Sequence, residues 1–177
     1  MKFFKNRGVA LVLCVLIVLG ATLLNTHVKF GGMCRQLTDA FYRDGGIAPE
    51  LEIIHAESMT LAAIGQANGL DVSALRGATD DLQGMLSQRS VGAAELYRYY
   101  DALCRELNKV SQQLAAQGVK VQPEEYIVCL GKITAAQEHI RVSGYNALVR
   151  DFLQENDRFP TSVLAKLAGV AMPEEFA

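Results

Sequence analysis

The chain lacks tryptophan, has only four prolines among its 177 residues, and shows no alternation of apolar and polar residues that competes with its helical periodicity. Folds built from strands and turns depend on such alternation and on frequent turn residues, so the composition favours helices. Basic residues are not in excess, since 17 Lys and Arg stand against 19 Asp and Glu, for a net charge of -2. Binding to phosphates normally needs clustered basic residues, and we therefore expect no nucleic-acid partner.

Charged residues are also absent from residues 8–28, where the segment 9–24 reads VALVLCVLIVLGATLL after Lys2, Lys5 and Arg7. About twenty helical residues span a hydrocarbon core about 30 Å thick. A helix in the core of a soluble protein would carry polar residues along one face, and this segment has no such polar face. The sequence therefore predicts a membrane anchor in residues 1–30, in which membrane lipid surrounds residues 8–28, and one domain in residues 31–177.

The apolar segment could instead belong to a cleaved signal peptide or to a lipoprotein. A cleaved signal peptide begins in the same way, but Gly20 and Ala21 are followed by apolar residues rather than by a small-residue cleavage pattern. A lipoprotein would use Cys14, which lies in the middle of the run after Val12 and Leu13 instead of small residues. We therefore favour an uncleaved signal-anchor that makes a single-pass membrane protein.

The sidedness of the domain rests on charge. Lys2, Lys5 and Arg7 precede the apolar run, and positive charge tends to stay in the cytoplasm, so we expect a cytoplasmic amino terminus and a domain outside. The cysteines favour the opposite orientation, with the domain in the cytoplasm. Three of them follow the anchor, which is an odd number without the spacing of a disulfide framework: Cys34, Cys104 and Cys129.

Apolar residues beyond the anchor recur at helical spacing. We expect a glycine-containing break over residues 28–32, a brief helix over 33–44 that ends at Gly45-Gly46, and a helix from Pro49 to Asn68-Gly69. Asp71 or Ser73 then caps a helix that ends before a loop over residues 87–90. The fold class predicted is all-α, an amino-terminal transmembrane helix followed by an antiparallel bundle of three to four long helices.

The strongest periodicity lies between residues 96 and 114, where steps of four and three are typical of coiled-coil packing. Its members are Leu96, Tyr100, Leu103, Leu107, Val110 and Leu114. We expect this seam to pack within the chain, although packing against another copy remains open. After Pro123 we expect one long helix up to Phe159-Pro160, with a single buried stripe of Ile127, Leu130, Ile133, Ile140, Leu148 and Phe152.

The sequence shows no constellation typical of an active site. Its histidines, His27, His55 and His139, lack the spacing of a zinc site, and neither a G-x-S-x-G elbow nor a phosphate-binding loop occurs. Cys104 and Cys129 would meet His139 only if two helices aligned them. We therefore predict no catalytic, cofactor-binding or metal-ligating residue and no enzymatic activity.

The aromatic group Tyr97, Tyr99 and Tyr100 has two interpretations. Amphipathic rings are enriched at interfaces, so the group could mark an interaction surface. We favour partial burial within the helical domain, because Tyr100 belongs to the periodic seam.

The carboxy-terminal third carries a recognisable pattern, with Tyr145-Asn146, Val149, Phe152, Phe159-Pro160, Gly169 and Phe176 in order. In this pattern the chain resembles the LemA family, whose ending reads approximately Y-N-x-x-V-x-x-Y-N-x-x-I-x-x-F-P before a small-residue helix and a terminal F-E. Phe152 replaces the second Tyr, and Ala177 replaces the final Glu. Upstream, the residues IAPEL at 47–51 resemble the family's L-I-P-N-L, whereas the tryptophan usual after its anchor is missing.

The resemblance implies a membrane-anchored helical bundle of bacterial type, in the inner or cytoplasmic membrane, and it brings no activity or catalytic residue. The repeat of Tyr145, Phe152 and Phe159 every seven residues predicts one stripe against which a final helix folds back after Pro160. Asn146 is expected to bond a backbone or helix-end group rather than a ligand.

Three functions fit these observations. The leading hypothesis is a membrane-tethered scaffold or interaction module for an unidentified protein partner. A binder of small ligands or lipid would instead need an apolar pocket with convergent polar groups. A membrane-bound enzyme would need titratable groups with shifted pKa values, and nothing in the sequence nominates them.

Overall fold

The computed structural model describes residues 7–88, 92–156, 163, 167, 169 and 172–177. Across these residues the chain is helical and forms no strand, which confirms the predicted all-α class. The helices are α1 (Arg7–Tyr42), α2 (Ile47–Ala67), α3 (Ser73–Ser87), α4 (Ala93–Gln117), α5 (Pro123–Val142) and α6 (Tyr145–Asn156).

Helix α1 continues through the glycines at which we expected a break. It runs unbroken from Arg7 to Tyr42, so the predicted interruption over residues 28–32 is wrong. Two mid-helix glycines cost about 1 kcal/mol each. Packing on both sides offsets this cost, because Phe30 is only 3% exposed and Leu37 is also buried. The expected boundary between the anchor and the domain, at residues 30 and 31, therefore lies inside one continuous helix.

The turn between α1 and α2 lies at the expected glycine pair. Gly45 adopts a φ of 77°, a left-handed conformation that favours glycine. A β-carbon on Gly46 would lie 2.5 Å from the carbonyl oxygen of Phe41 and 2.8 Å from that of Arg43. Backbone oxygens cannot move aside as a side chain would, so this turn requires both glycines.

Helices α2 to α5 alternate in direction. The Glu50 carboxylate of α2 lies 3.1 Å from His139 in α5, and that of Glu57 lies 2.6 Å from Lys132, so numbers rise in one helix as they fall in the other. Helix α4 opposes α5 in the same way. The Tyr126 hydroxyl donates to the Ser111 carbonyl at 3.2 Å, and the Gln137 amide donates to the Cys104 sulfur at 3.3 Å.

The predicted seam of α4 faces the core of these four helices. Its buried members are Leu96, Leu103, Leu107, Val110 and Leu114, and Tyr100 is half-buried. The seam packs against helices of the same chain, as expected.

The predicted long last helix is wrong in length, and its buried face is right only in part: Ile133, Ile140 and Phe152 are buried as expected. Helix α5 ends at Val142, and α6 begins at Tyr145 after the extended Ser143. Ile127 is 68% exposed and Leu148 is 44% exposed. The buried stripe is instead Cys129, Ile133, Ala136 and Ile140 in α5, followed by Tyr145, Val149 and Phe152 in α6. Choosing the largest aliphatic residues missed the small Cys129 and Ala136, which let α5 approach α2 closely. The expected break at Phe159-Pro160 lies outside the described residues.

Helix α6 packs back along the second half of α1. The Phe41 and Tyr145 ring centroids are 5.1 Å apart, and those of Phe30 and Phe152 are 5.9 Å apart, so the two helices run in opposite directions. The beginning of α6 therefore lies beside the end of α1, and its later residues lie toward the apolar segment.

The apolar half of α1 stands clear of the other helices. In the described part of the chain, α1 is the one helix long and apolar enough to cross a membrane, a criterion that a signal sequence also meets. Its side chains are exposed on every face, including Leu11, Val12, Leu16, Ile17, Val18 and Leu24. The hydroxyls of Thr22 and Thr26 donate to carbonyls four residues earlier, at 2.7 and 2.8 Å, which satisfies them without water.

Candidate functional site: a helical surface that holds the carboxy-terminal tail

The last six residues, 172–177, have no regular secondary structure, lie against the helices and are called the tail below. Phe176 is 4% exposed and anchors the tail. Its ring centroid lies 5.2 Å from that of Tyr97, 5.6 Å from that of Tyr100 and 5.9 Å from that of Phe41. The Tyr97 and Phe41 rings meet it edge-on, an arrangement that adds stabilisation beyond the burial of apolar area.

Asn146 pairs with the backbone of the tail in both directions. Its side-chain oxygen accepts from the Phe176 N–H at 2.7 Å, and its amide nitrogen donates to the Phe176 carbonyl at 2.9 Å. A neighbouring β-strand would bond the same N–H and carbonyl. Asn146 therefore makes, for Phe176 alone, the pair of backbone hydrogen bonds that a strand makes for several residues. The expected bond between Asn146 and a backbone group is therefore present.

Tyr145 holds the tail two residues earlier. Its hydroxyl donates to the Glu174 carbonyl at 3.1 Å. Burial, with the negative charge of Glu174 as the next cause, raises the pKa of Tyr145 to about 12. The hydroxyl therefore keeps its proton, and remains a donor, throughout the neutral range.

The two acidic residues of the tail each meet a complementary feature. The Arg150 guanidinium lies 3.0 Å from the Glu175 carboxylate, an exposed pair that contributes little energy. The Glu174 carboxylate lies against Gly92, the residue before α4, and a β-carbon on Gly92 would be 2.5 Å from that oxygen. The amino end of a helix favours negative charge, so this position suits an anion.

We call the seven residues that hold the tail the tail site: Phe41, Gly92, Tyr97, Tyr100, Tyr145, Asn146 and Arg150. They come from the end of α1, the beginning of α4 and the beginning of α6. The turn at Gly45-Gly46 and the break at residues 143 and 144 bring these helix ends together. The tail site thus contacts the backbone and ring of Phe176 and the side chains of Glu174 and Glu175, which are consecutive.

The residues of the family-like pattern divide between this site and the core beneath it. Tyr145, Asn146 and Phe176 meet at the tail site, whereas Val149 and Phe152 are buried in the core. Gly169 adopts a φ of 66°, and Phe159 and Pro160 lie outside the described residues. Tyr97 and Tyr100 are half-buried, as we favoured, and they meet the tail rather than the helices alone.

Sequence reasoning did not nominate Phe41, Gly92 or Arg150. Each lies on a different element, and only folding brings them within reach of the tail. The pair Glu174-Glu175 directly before Phe176 was the signal available, because an acidic pair beside an aromatic residue is a compact recognition pattern.

Residues weighed for chemistry lie apart. Cys104 bonds Gln137, whereas the Cys129 thiol donates to the Glu57 carbonyl at 3.1 Å and His139 faces Glu50. Burial raises the pKa of Cys104, and it raises that of Cys129 to about 12, which is opposite to the lowered pKa typical of a reactive thiol. Within the described residues no group of three His, Cys, Asp or Glu could hold a metal ion.

Comparison with known proteins adds no relative: no family model matches the chain, and no match was found among curated proteins or solved structures. Its function must therefore be inferred from the contacts of the chain itself.

Proposed function

We propose that this protein is a membrane-anchored scaffold, in which the apolar half of α1 crosses the membrane and the helical domain binds a protein partner without catalysis. The observation that carries the proposal is the continuity of α1. One unbroken helix has an exposed apolar half and a second half, including Phe30 and Phe41, that packs into the domain.

This continuity supports a scaffold in particular. A loop between anchor and domain would let the domain reorient, whereas a shared helix fixes its direction. Residues 29–42 extend the helix about 20 Å beyond the apolar segment, at about 1.5 Å per residue. Contacts between α6 and α1 stiffen this stretch, and a domain held at a fixed height and angle suits the positioning of partners.

The tail site supports binding of protein rather than of a small ligand. Extended peptides are commonly held by backbone hydrogen bonds together with pockets for single side chains, and both features are present here. The alternative of a ligand or lipid pocket needs polar groups that converge on an apolar cavity. The buried polar side chains of the described core, Ser58, Thr79 and Asn156, each bond a carbonyl four residues earlier in their own helix.

We also propose that the chain is a divergent relative of the LemA family, with a bacterial inner-membrane location, a cytoplasmic amino terminus and the domain outside. The contacts of Tyr145, Asn146 and Phe176 support this, because they give a physical reason for a pattern spread over thirty residues. The excess of positive charge before the apolar segment supports the orientation.

The anchor is tested by replacing Leu16 and Ile17 with Asp in the full chain. Both side chains are exposed and lie in the middle of the apolar segment. We expect the wild type to remain with membranes after alkaline extraction and the double variant to leave them with its helical circular dichroism retained. Arg98→Asp, on the exposed surface of α4, is the matched control and stays in the membrane. An Asp variant that still resists extraction would disprove the anchor.

The scaffold is tested by exchanging the anchor. If the span only tethers the domain, replacing residues 8–28 with an unrelated apolar span of equal length preserves the complexes that cross-linking detects in cells. Loss of those complexes, with membrane insertion intact, would show that the span itself binds the partner and would contradict a scaffold domain.

A further inference from the structure

We infer that the tail site is a receptor for an acidic-aromatic segment, Glu-Glu-Phe, and that it takes this segment from a second copy of the same chain as well as from its own. The inference rests on the proposed function, since it needs copies that share one membrane. It assigns the scaffold a partner, namely itself, and a surface through which copies join.

The recognised features of the tail are contiguous. Glu174, Glu175 and Phe176 are consecutive, and the contacts described above come from α1, α4, α6 and the residue before α4. None of these contacts depends on how the tail is connected to α6. An identical segment from another chain would meet the same donors, acceptors and rings.

The tail also lies on the surface of the domain. Phe176 is the one buried residue of the tail, whereas Met172, Glu174 and Ala177 are exposed. Withdrawing the tail removes one ring from the domain. Release of the tail therefore leaves the packing among α2, α3, α4 and α5 in place.

Symmetry and confinement to a membrane select the second copy as occupant. Each chain carries both the segment and the site, so two copies can exchange tails reciprocally and leave no site empty, in a closed two-fold pair. Copies anchored in one membrane are confined to a plane, which raises their effective concentration for each other. A second copy carries the same acidic pair that Arg150 and the start of α4 complement.

The first experiment uses the acetylated peptide Met-Pro-Glu-Glu-Phe-Ala, identical to residues 172–177, and full-length protein in detergent. Phe176→Ala empties the site, so it should bind the peptide at least about twofold more tightly than the wild type, whose own tail competes. Adding Asn146→Leu should abolish binding, and a peptide with Ala in place of Phe should not bind. If Asn146→Leu loses helical content, Arg150→Glu, an exposed change, replaces it and should weaken binding, because the reversed charge repels Glu175.

The second experiment uses liposomes that hold full-length copies with donor or acceptor fluorescent proteins at their amino termini. Phe176→Ala has a site without a tail, and Asn146→Leu has a tail without a site. Only their mixture can pair one tail with one site between copies. We expect energy transfer above background in the mixture and in neither variant alone.

Each outcome bears on a different part of the proposal. No peptide binding to folded Phe176→Ala would overturn the tail site as a receptor. Peptide binding without energy transfer in the mixture would overturn the second copy as occupant, and equal transfer in all samples would do the same, because pairing would then be independent of the tail. Failure of the chain to insert into liposomes would instead disprove the proposed membrane function, and the detergent experiment would still test the site.

Discussion

Replacing Phe176 with Ala should release the tail and leave the helical domain folded. Full burial of a phenylalanine side chain stabilises by about 1.5–3 kcal/mol. Edge-on contacts such as the one with Tyr97 add about 0.5–1.5 kcal/mol. A loss of about 2–4 kcal/mol would follow if the tail stayed in place around the smaller side chain.

The actual loss should be smaller, because it cannot exceed the free energy of docking the tail. Ordering six residues costs about 6–9 kcal/mol at about 1–1.5 kcal/mol each. Phe176 offsets about 2–4 kcal/mol of this, and the three hydrogen bonds to Asn146 and Tyr145 offset about 1 kcal/mol each. These terms nearly cancel, so docking is marginal, and Phe176→Ala should lower the free energy of unfolding by no more than about 2 kcal/mol.

Hydrogen exchange on full-length protein in nanodiscs measures both the release of the tail and the unfolding of the helical domain. The amide at position 176, which Asn146 protects in the wild type, should exchange at the rate of a free peptide in the variant. Core amides of α4 should remain protected. Leu103→Ala is the control, since Leu103 is 0% exposed and its truncation should cost about 2–5 kcal/mol across all helices. Deprotection of the core by Phe176→Ala as broad as that by Leu103→Ala would refute a tail that detaches from a folded domain.

Further changes test other parts of the molecule. Leu103→Asp buries a charge in the α4 seam and should unfold the domain, which loss of helical circular dichroism would show; a soluble, helical, monomeric variant would mean that the seam packs between copies. Gly46→Ala should lower the free energy of unfolding by about 1–3 kcal/mol in thermal unfolding, because its β-carbon meets backbone oxygens. Gly31→Ala, whose β-carbon meets nothing within 4 Å, should be neutral or stabilising. The Cys129 thiol has a pKa raised by burial from 9.0 to about 12, so the unfolded chain loses this proton first as pH rises. Stability should therefore fall by about 1 kcal/mol per pH unit above pH 9.0 and up to about pH 12, and Cys129→Ser, which keeps a donor for Glu57, should remove that part of the slope in denaturant titrations. A thiol placed at Gln88 in a chain without other cysteines should react with a membrane-impermeant reagent in intact cells once any outer membrane is permeabilised; protection until the inner membrane is broken would reverse the proposed sidedness.

Much of the helical layout could be predicted because the apolar periodicity is strong and the breaks are marked. The seam of α4 follows from leucines and valines at steps of four and three, and Gly118 ends the helix with a φ of 71°. The end of α2 could also be predicted, because Asn68 and Gly69 are typical of a helix end. The Asn68 side chain accepts from the Lys120 and Val121 amides, at 2.9 and 3.1 Å, and so holds the loop before α5.

Other parts could not be predicted because their energies come from contacts across the chain. Gly31 and Gly32 look like a break, yet packing of the residues around them keeps α1 helical. The α5 stripe uses Cys129 and Ala136, whose small size reveals nothing about burial until α2 is placed against them. The tail has no periodicity of its own, and its contacts with Asn146 span thirty residues of sequence.

The position of the tail site on α1 bears on how copies would meet. Phe41 belongs both to the tail site and to the helix that carries the proposed anchor, thirteen residues beyond the end of the apolar segment at Val28. If the apolar segment spans the membrane as proposed, about 1.5 Å per residue places the site about 20 Å from it in every copy. Because α1 is unbroken and α6 packs along it, this height is fixed by the fold rather than by a linker. Under the proposed topology, two copies in one membrane would present their tails and sites at the same level, and the proposed exchange would need lateral approach without tilting of either domain.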